Sequence, residues 1–271
     1  MKKGHRQWLF VVWLGLCLSG VLTAVSEAAT LYDRSLAVLE KQVRNASPRD
    51  FTFVVMGDSR GNDPVFTKGL ALAASLKPLF IIHSGDFSLN GSESEVDHFL
   101  ALIRKTVPDI PFFVVRGNHE QQGPFLQKIG PLDYVIDAAP LGLKVVVVDN
   151  SAYSLKAPEW AYLKGQLALK RKLAFVAMHI PPRTSRWNWH TFTDGAEHLT
   201  RFLAEENVTA AFYGHIHLYD RDDIDGVTHL ITGGAGAPLA RYSIPGTPSY
   251  HIVAVRVKDG SVSYTVLRIP E

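Results

Sequence analysis

Phe53-Val54-Val55-Met56-Gly57-Asp58-Ser59-Arg60 is an apolar run that stops at a glycine, a carboxylate and a cation. Short apolar runs bounded by turn residues predict buried strands. The same pattern recurs at residues 80–86 and 113–120, before His179, and before Gly214-His215-Ile216-His217. The sequence therefore predicts five buried strands, each followed directly by polar side chains.

Segments with helical spacing lie between these strands. We predict helices at 64–76, 93–106, 158–172 and about 195–206, and an amphipathic helix or loose arm at 31–45. The predicted strands are 51–56, 79–82, 111–115, 143–148, 173–178, 209–213, 227–232, 252–257 and 261–269. Strands that alternate with helices predict an α/β domain with parallel pairing. Lys258-Asp259-Gly260 adds an antiparallel hairpin, so we expect mixed sheets.

The polar residues after the strands form a candidate metal site. In open α/β sheets, ligands bind outside the carboxyl ends of the strands. Each motif alone is weak evidence, since a Gly-Asp pair is more often a turn and a single histidine more often a hydrogen-bonded side chain. Their joint placement favours one shared site, built from Asp58, Asp86, Asn118, His179, His215 and His217.

The first 28 residues differ from the rest of the chain. Three cations (Lys2, Lys3 and Arg6) precede an apolar run at 8–22, and small residues follow up to Ala28. This layout predicts a signal peptide at 1–28, a single domain at 29–271, and an exported protein that is periplasmic or secreted. An uncleaved membrane anchor, or a lipoprotein through Cys17, is the alternative reading.

Composition and charge limit the function classes. The 271 residues are 46% hydrophobic and 20% charged, which is ordinary for a globular protein. The formal net charge of +2 falls to about zero once residues 1–28 are removed, so nothing indicates a nucleic-acid-binding surface. Without Cys17, the only cysteine, disulfides and thiolate ligands are excluded. We expect no stable membrane span after cleavage, and the sequence predicts no oligomeric state.

The ordered motifs Gly57–Arg60, Gly85–Ser88, Gly117–Glu120, His179 and Gly214–His217 resemble those of the calcineurin-like metallophosphoesterase superfamily. The resemblance spans 51 to about 240, and the segments 214–221 and 233–238 are similar to its acid-phosphatase-like branch. It implies an α/β fold in which two mixed sheets form a β-sandwich flanked by helices. It also implies two divalent or trivalent metal ions, with Mn, Fe and Zn all compatible with nitrogen and oxygen ligands.

The resemblance also implies residue roles. Asp86 would bridge both metals, Asp58 and His217 would bind the first, and Asn118, His179 and His215 the second. His119 would contact the phosphate and protonate the leaving oxygen, and Asn118 would also contact substrate. The implied reaction is phosphoester hydrolysis by a metal-activated hydroxide, on a small phosphomonoester. The alternatives are a phosphodiesterase acting on nucleotides or phospholipid head groups, and a metal- or phosphate-binding protein with little turnover.

Arg60 departs from the family pattern, which has histidine at this position as a ligand of the first metal. An arginine offers no lone pair for a metal. No tyrosine follows Asp86 to compensate, so water or Asn62 would have to complete the first site. Arg60 is predicted either to neutralise a phosphate oxygen during catalysis or to pair with a nearby carboxylate.

The segment 183–194 is rich in aromatic and cationic residues. It predicts a substrate wall that includes Arg183, Trp187 and Trp189, with core packing of the tryptophans as the alternative. Six histidines without a motif are predicted to be structural: His83, His98, His190, His198, His229 and His251.

Overall fold

Two mixed β-sheets stack face to face, with helices covering both outer faces. The structure, a computed structural model, describes residues 29–241 and 245–270, so the predicted signal peptide at 1–28 lies outside it. This arrangement confirms the predicted fold class. No helix in the described ranges has the length and apolar content needed to cross a bilayer.

The elements follow in chain order. The helices are α1 (Leu31–Val43), α2 (Asp63–Ser75), α3 (Glu93–Thr106), α4 (Gln122–Pro124), α5 (Ala157–Ala168) and α6 (Ala196–Glu205), with a π-helical turn at Phe125–Ile129 and a 3-10 turn at Ala139–Leu141. The strands are β1 (Asp50–Met56), β2 (Ile81–His83), β3 (Phe112–Val114), β4 (Tyr134–Ala138), β5 (Leu143–Val147), β6 (Leu173–Ala177), β7 (Ala210–Tyr213), β8 (Tyr219–Ile224), β9 (Val227–Thr232), β10 (His251–Lys258) and β11 (Ser261–Arg268).

The strand order is β11-β10-β1-β2-β3 in one sheet and β4-β5-β6-β7-β9-β8 in the other. The pairs β1–β2–β3 and β5–β6–β7–β9 are parallel. The strands β4, β8, β10 and β11 make antiparallel pairs with their neighbours. The predicted hairpin is confirmed, with Asp259 and Gly260 at positive φ as a type I′ turn requires.

Alternate residues of each strand face different layers of the core. Phe53 and Val55 of β1 lie between the sheets, while Val54 and Met56 pack with residues of the helices on the outer face. Both faces of the central strands are therefore buried. This burial explains why they are continuous apolar runs rather than alternating ones.

Two strands were not predicted. β4 and β8 lie at the edges of the second sheet, and β8 has the largely polar sequence Tyr-Asp-Arg-Asp-Asp-Ile. An edge strand needs fewer apolar side chains, so hydrophobic patterning does not detect it. Helix α5 ends at Ala168, earlier than the predicted end at residue 172. The segment predicted as a helix or a loose arm at 31–45 forms helix α1.

Candidate metal centre

The loops after β1, β2, β3, β6 and β7 meet at one edge of the two sheets. Asp58 donates its backbone N–H to the carbonyl of Gly85 at 2.9 Å, which joins the loops after β1 and β2. Gly214 donates likewise to the carbonyl of His179 at 2.9 Å, which joins the loops after β6 and β7. The six predicted ligand residues consequently lie in a single cluster.

Three residues of this cluster adopt left-handed backbone conformations. The φ angles are 57° at Asp58, 58° at Asp86 and 66° at His215. A side chain in this region costs about 1–2 kcal/mol. Such strain persists where the surrounding structure holds it and is concentrated at functional sites. At Gly117, a Cβ atom would lie 2.2 Å from Oδ1 of Asp86, so only glycine leaves room for this carboxylate.

The cluster contains two candidate ligand groups that share Asp86. The first ligand group is Asp58, Asp86 and His217, and the second is Asp86, Asn118, His179 and His215. In the second group, Nε2 of His179 lies 3.1 Å from Oδ1 of Asn118 and 3.3 Å from Oδ1 of Asp86. Two atoms bound about 2.1 Å from one ion at a right angle lie about 3.0 Å apart. The second ligand group therefore has the spacing that a metal ion requires.

The two histidines of the second ligand group have lone pairs available. His179 donates its Nδ1–H to the carbonyl of Ser84 at 2.7 Å, which leaves the Nε2 lone pair facing Asp86 and Asn118. His215 has Nε2 2.9 Å from the hydroxyl of Tyr153. Its Nδ1 is buried without a hydrogen-bond partner among the described residues. A buried nitrogen without a protein partner is free to bind a metal ion.

The local charges also favour a cation. Burial lowers the pKa of His179, but the Asp86 and Asp58 carboxylates outweigh burial and raise that pKa to about 9. Burial raises the pKa of Asp86, but His179 and Arg60 outweigh it and hold the pKa well below its usual range. At neutral pH the raised pKa of His179 places a proton on its Nε2, 3.3 Å from Oδ1 of Asp86. A bound metal would replace that proton.

Arg60 lies inside the first ligand group. Its Nη1 nitrogen is 2.8 Å from Oδ2 of Asp86, 3.3 Å from Nε2 of His217 and 3.8 Å from Oδ1 of Asp58. The predicted carboxylate pairing of Arg60 is thus present. Asn62 does not complete the first group, because its side chain accepts from the backbone of Val65 and caps α2.

His119 lies on the open side of the cluster. Its Nδ1–H donates to the carbonyl of Leu89 at 2.7 Å, and its Nε2 is 3.8 Å from Oδ2 of Asp86. About a third of the side chain is exposed. This orientation directs Nε2 to the space where a substrate would meet the ligand groups.

A cleft of about 320 Å³ opens beside the cluster. Its lining comprises Trp189, His190, His215, Ile216, His217 and residues 238–241. This volume is within the range of small-molecule sites. Trp189, 39% exposed, is therefore placed as the predicted substrate wall requires. His190, predicted to be structural, also lines the cleft.

Trp187 and Arg183 are not placed as predicted. Trp187 is 3% exposed, packs in the core of the second sheet, and donates its indole N–H to Asp220 at 2.8 Å. The substrate-wall prediction for Trp187 is wrong, because an apolar core site was available to the ring. Arg183 is exposed and lies outside the cleft lining.

Three supporting residues were not singled out from the sequence. Tyr153 contacts His215 as described above. Oε2 of Glu120 accepts from the backbone nitrogens of Asp86 at 3.0 Å and Gly117 at 2.8 Å. Oδ1 of Asn150 accepts from the backbone nitrogen of His179 at 3.0 Å. Asn150 follows β5 as the ligands follow their strands, so the strand-end rule could have identified it.

Comparisons with known proteins agree with this geometry. A family model described as calcineurin-like phosphoesterase matches residues 51–219. Two Arabidopsis thaliana proteins described as probable inactive purple acid phosphatases are 23% and 24% identical over 64% and 60% of this chain. The matches cover only 37% and 35% of those relatives. A probable glycerophosphodiester phosphodiesterase from Arcobacter nitrofigilis is 26% identical over 52% of this chain and 57% of its own.

Solved structures share the fold. A purple acid phosphatase from yellow lupin seeds superposes with a TM-score of 0.68 at 17% identity, over 81% of this chain and 53% of the lupin chain. A dimetal phosphatase from Danio rerio gives a TM-score of 0.57 at 13% identity, over 81% of this chain and 99% of its own. At these identities the likeness concerns the fold alone.

Proposed function

Because this chain belongs to the calcineurin-like phosphoesterase family, we propose that it is a metal-dependent hydrolase of small phosphomonoesters. One observation carries the proposal. The second ligand group brings Asp86, His179 and His215 to the spacing of metal ligands, and the amide oxygen of Asn118 lies 3.1 Å from Nε2 of His179. Nδ1 of His215 has no hydrogen-bond partner among the described residues. The group lies next to a cleft large enough for a small ester.

The second ligand group would hold the metal, and Mn, Fe and Zn all suit its nitrogen and oxygen donors. When bound, such an ion polarises a phosphoryl oxygen and lowers the pKa of a coordinated water. The chain contributes orientation. The Ser84 carbonyl fixes the tautomer of His179, and Glu120 holds the backbone of the loop that carries Asp86.

Arg60 and His119 would act on the ester itself. Within the described residues, Nη2 and Nε of Arg60 have no hydrogen-bond partner, so they remain available to donate to phosphoryl oxygens. Nε2 of His119 would hold the proton that the leaving oxygen needs, because Nδ1 is committed to the Leu89 carbonyl. Proton donation of this kind accelerates reactions about 10²- to 10⁴-fold.

A monoester is favoured over a diester on charge. A phosphomonoester carries up to two negative charges and a diester carries one, so a guanidinium beside the metal stabilises the monoester more. A phosphodiesterase acting on nucleotides or phospholipid head groups is the second candidate. The similarity to the Arcobacter protein, described as a phosphodiesterase, favours that candidate.

A metal- or phosphate-binding protein with little turnover is a candidate of another class. Two observations favour it: the guanidinium within the first ligand group, and the word inactive in the descriptions of the two plant relatives. The partly exposed side chain of His119, with its Nε2 3.8 Å from Oδ2 of Asp86, favours catalysis instead.

The test is hydrolysis by purified, metal-stripped protein. p-Nitrophenyl phosphate and bis-p-nitrophenyl phosphate would be assayed after separate addition of Mn²⁺, Fe²⁺ or Zn²⁺, beside His179→Gln as the ligand control. We expect metal-dependent turnover of the monoester, lost in the variant. Faster turnover of the diester would favour the phosphodiesterase, and metal binding without turnover of either ester would favour the binding protein.

We also propose that the chain is exported. The proposal rests on the sequence pattern of residues 1–28. Expression of the full chain, cell fractionation and N-terminal sequencing would test it. A product outside the cytoplasm that begins at Ala29 is expected, and a full-length product in the cytoplasm would contradict it.

A further inference from the structure

We infer that this chain binds a single metal ion, in the second ligand group, and that the guanidinium of Arg60 takes the place of a second ion in the first ligand group. The inference rests on the proposed metal-dependent function and defines its metal stoichiometry. It differs from the two-ion site that the sequence motifs imply.

The first step is geometric. Nη1 of Arg60 lies within 3.8 Å of all three atoms that would bind an ion in the first ligand group: Oδ2 of Asp86, Nε2 of His217 and Oδ1 of Asp58. An ion in that group would lie about 2.1 Å from each of these atoms. The ion and the guanidinium would therefore compete for the same space.

The second step concerns charge. Asp58 and Asp86 are buried, and the Arg60 side chain is 14% exposed. A guanidinium keeps its positive charge at any ordinary pH. It thus permanently cancels one of the two negative charges of the first ligand group, whereas the second ligand group has no arginine or lysine among its four residues. A divalent cation entering the first group would meet the guanidinium at contact distance, whereas no guanidinium lies among the residues of the second group.

The third step is the way Arg60 is held. Its backbone N–H donates to the carbonyl of Asp86 at 3.3 Å, and its side chain pairs with the carboxylate of the same residue at 2.8 Å. An incoming ion would have to break a buried ion pair before it could bind. Removing one partner of such a pair is unfavourable, because it leaves the other charge without compensation.

The surroundings of Oδ1 of Asp58 indicate which substitution would let the first ligand group bind an ion. This atom is buried and has no hydrogen-bond partner among the described residues, with Nε2 of His217 at 3.4 Å and Nη1 of Arg60 at 3.8 Å. Replacing the guanidinium by an imidazole would remove the competing charge. It would also add a ligand beside Oδ1 of Asp58, Oδ2 of Asp86 and Nε2 of His217.

The experiment counts ions rather than turnover. Full-length protein would be stripped with a chelator, loaded with MnCl₂, desalted, and analysed for bound manganese per chain. We expect one ion in the wild type and two in Arg60→His. As a control, Arg171→His removes an arginine that pairs with Asp137 at 2.7 Å outside the cluster, and it should retain one ion.

Two further variants locate the ion and keep the test decisive if Arg60→His does not fold. Asp58→Asn should retain one ion, and His179→Gln should lose it. Electron paramagnetic resonance should give the spectrum of isolated Mn²⁺ in the wild type and of a coupled pair in Arg60→His.

Two bound ions in the wild type would overturn the inference and leave the proposed hydrolase intact. So would loss of the ion in Asp58→Asn together with its retention in His179→Gln. Absence of any bound ion would overturn both the inference and the proposed metal dependence.

Discussion

Oε2 of Glu120 accepts the backbone N–H of Asp86 at 3.0 Å, so a buried carboxylate holds the residue that both ligand groups share. Burial and the nearby Asp86 charge raise the pKa of Glu120, while hydrogen bonds from Ser88 favour its ionised form. Each oxygen of Glu120 accepts two hydrogen bonds, from Asp86, Ser88 and Gly117. This contact holds the backbone from which the carboxylate of Asp86 extends.

Glu120→Gln should weaken metal binding by about 10- to 100-fold, the usual cost of losing a partner that orients metal ligands. A glutamine amide offers one acceptor oxygen, so two of the N–H and O–H donors would face an NH₂ group. Isothermal titration with Mn²⁺ would measure the affinity. Glu159→Gln, at the start of α5, is the control. Unchanged affinity in Glu120→Gln would refute this positioning role.

His119→Ala should lower turnover by about 10²- to 10⁴-fold for an alkyl phosphate, because the leaving alkoxide needs a proton. The loss should be smaller for p-nitrophenyl phosphate, whose leaving group departs without one. Bound metal should not change, and His98→Ala, at an exposed histidine, should behave as the wild type. Equal losses for both esters would argue against proton donation by His119.

The two neighbouring tryptophans should respond differently to substitution. Trp187→Ala should lower the free energy of unfolding by about 3–5 kcal/mol, because the ring is buried in the core. Trp189→Ala should lower it by less than about 1 kcal/mol. It should also raise KM for aryl esters by about 2- to 10-fold, the range of an aromatic contact. Denaturant unfolding and steady-state kinetics would measure both, and the reverse pattern would contradict the assignment.

His229 should make folding stability fall with acidification. Its Nδ1 lies 3.1 Å from the hydroxyl of Tyr213, its Nε2 is buried without a partner among the described residues, and burial lowers its pKa to about 4. In the unfolded chain the pKa is about 6.5, so the stabilisation is present above that pH and is lost as the pH falls towards 4. Between about pH 7 and pH 5 the loss should be about 2 kcal/mol.

Urea unfolding in the presence of a chelator would measure this pH dependence. His229→Gln should reduce it, and His98→Gln should leave it unchanged, since His98 is exposed and pairs with Asp63. If His229→Gln and the wild type lose the same folding stability between about pH 7 and pH 5, His229 does not cause the pH dependence.

Much of the fold and of the cluster followed from one sequence rule. Buried strands are apolar on both faces, so β1, β2, β3, β6 and β7 could be predicted from continuous apolar runs in the sequence. The polar residues after these runs then predicted the position of the site. The edge strands β4 and β8 were not predicted, because a strand with solvent on one side does not need a continuous apolar sequence. The fold was therefore most predictable where burial was most complete.

Side-chain placement within the site was less predictable. A segment rich in aromatic residues did not reveal that Trp187 turns to the core while Trp189 faces the cleft. The sequence marked Arg60 as unusual but left open whether it contacts a phosphate or a carboxylate. That choice depends on distances between loops far apart in the chain, and these are set only when both sheets have formed.

Anomalous diffraction from crystals soaked in MnCl₂ would test the central claim most directly. We predict one manganese peak, bonded to Asp86, Asn118, His179 and His215, with Arg60 still in contact with Oδ2 of Asp86. A structure without a peak among these four residues, or with any peak between Asp58 and His217, would contradict this prediction.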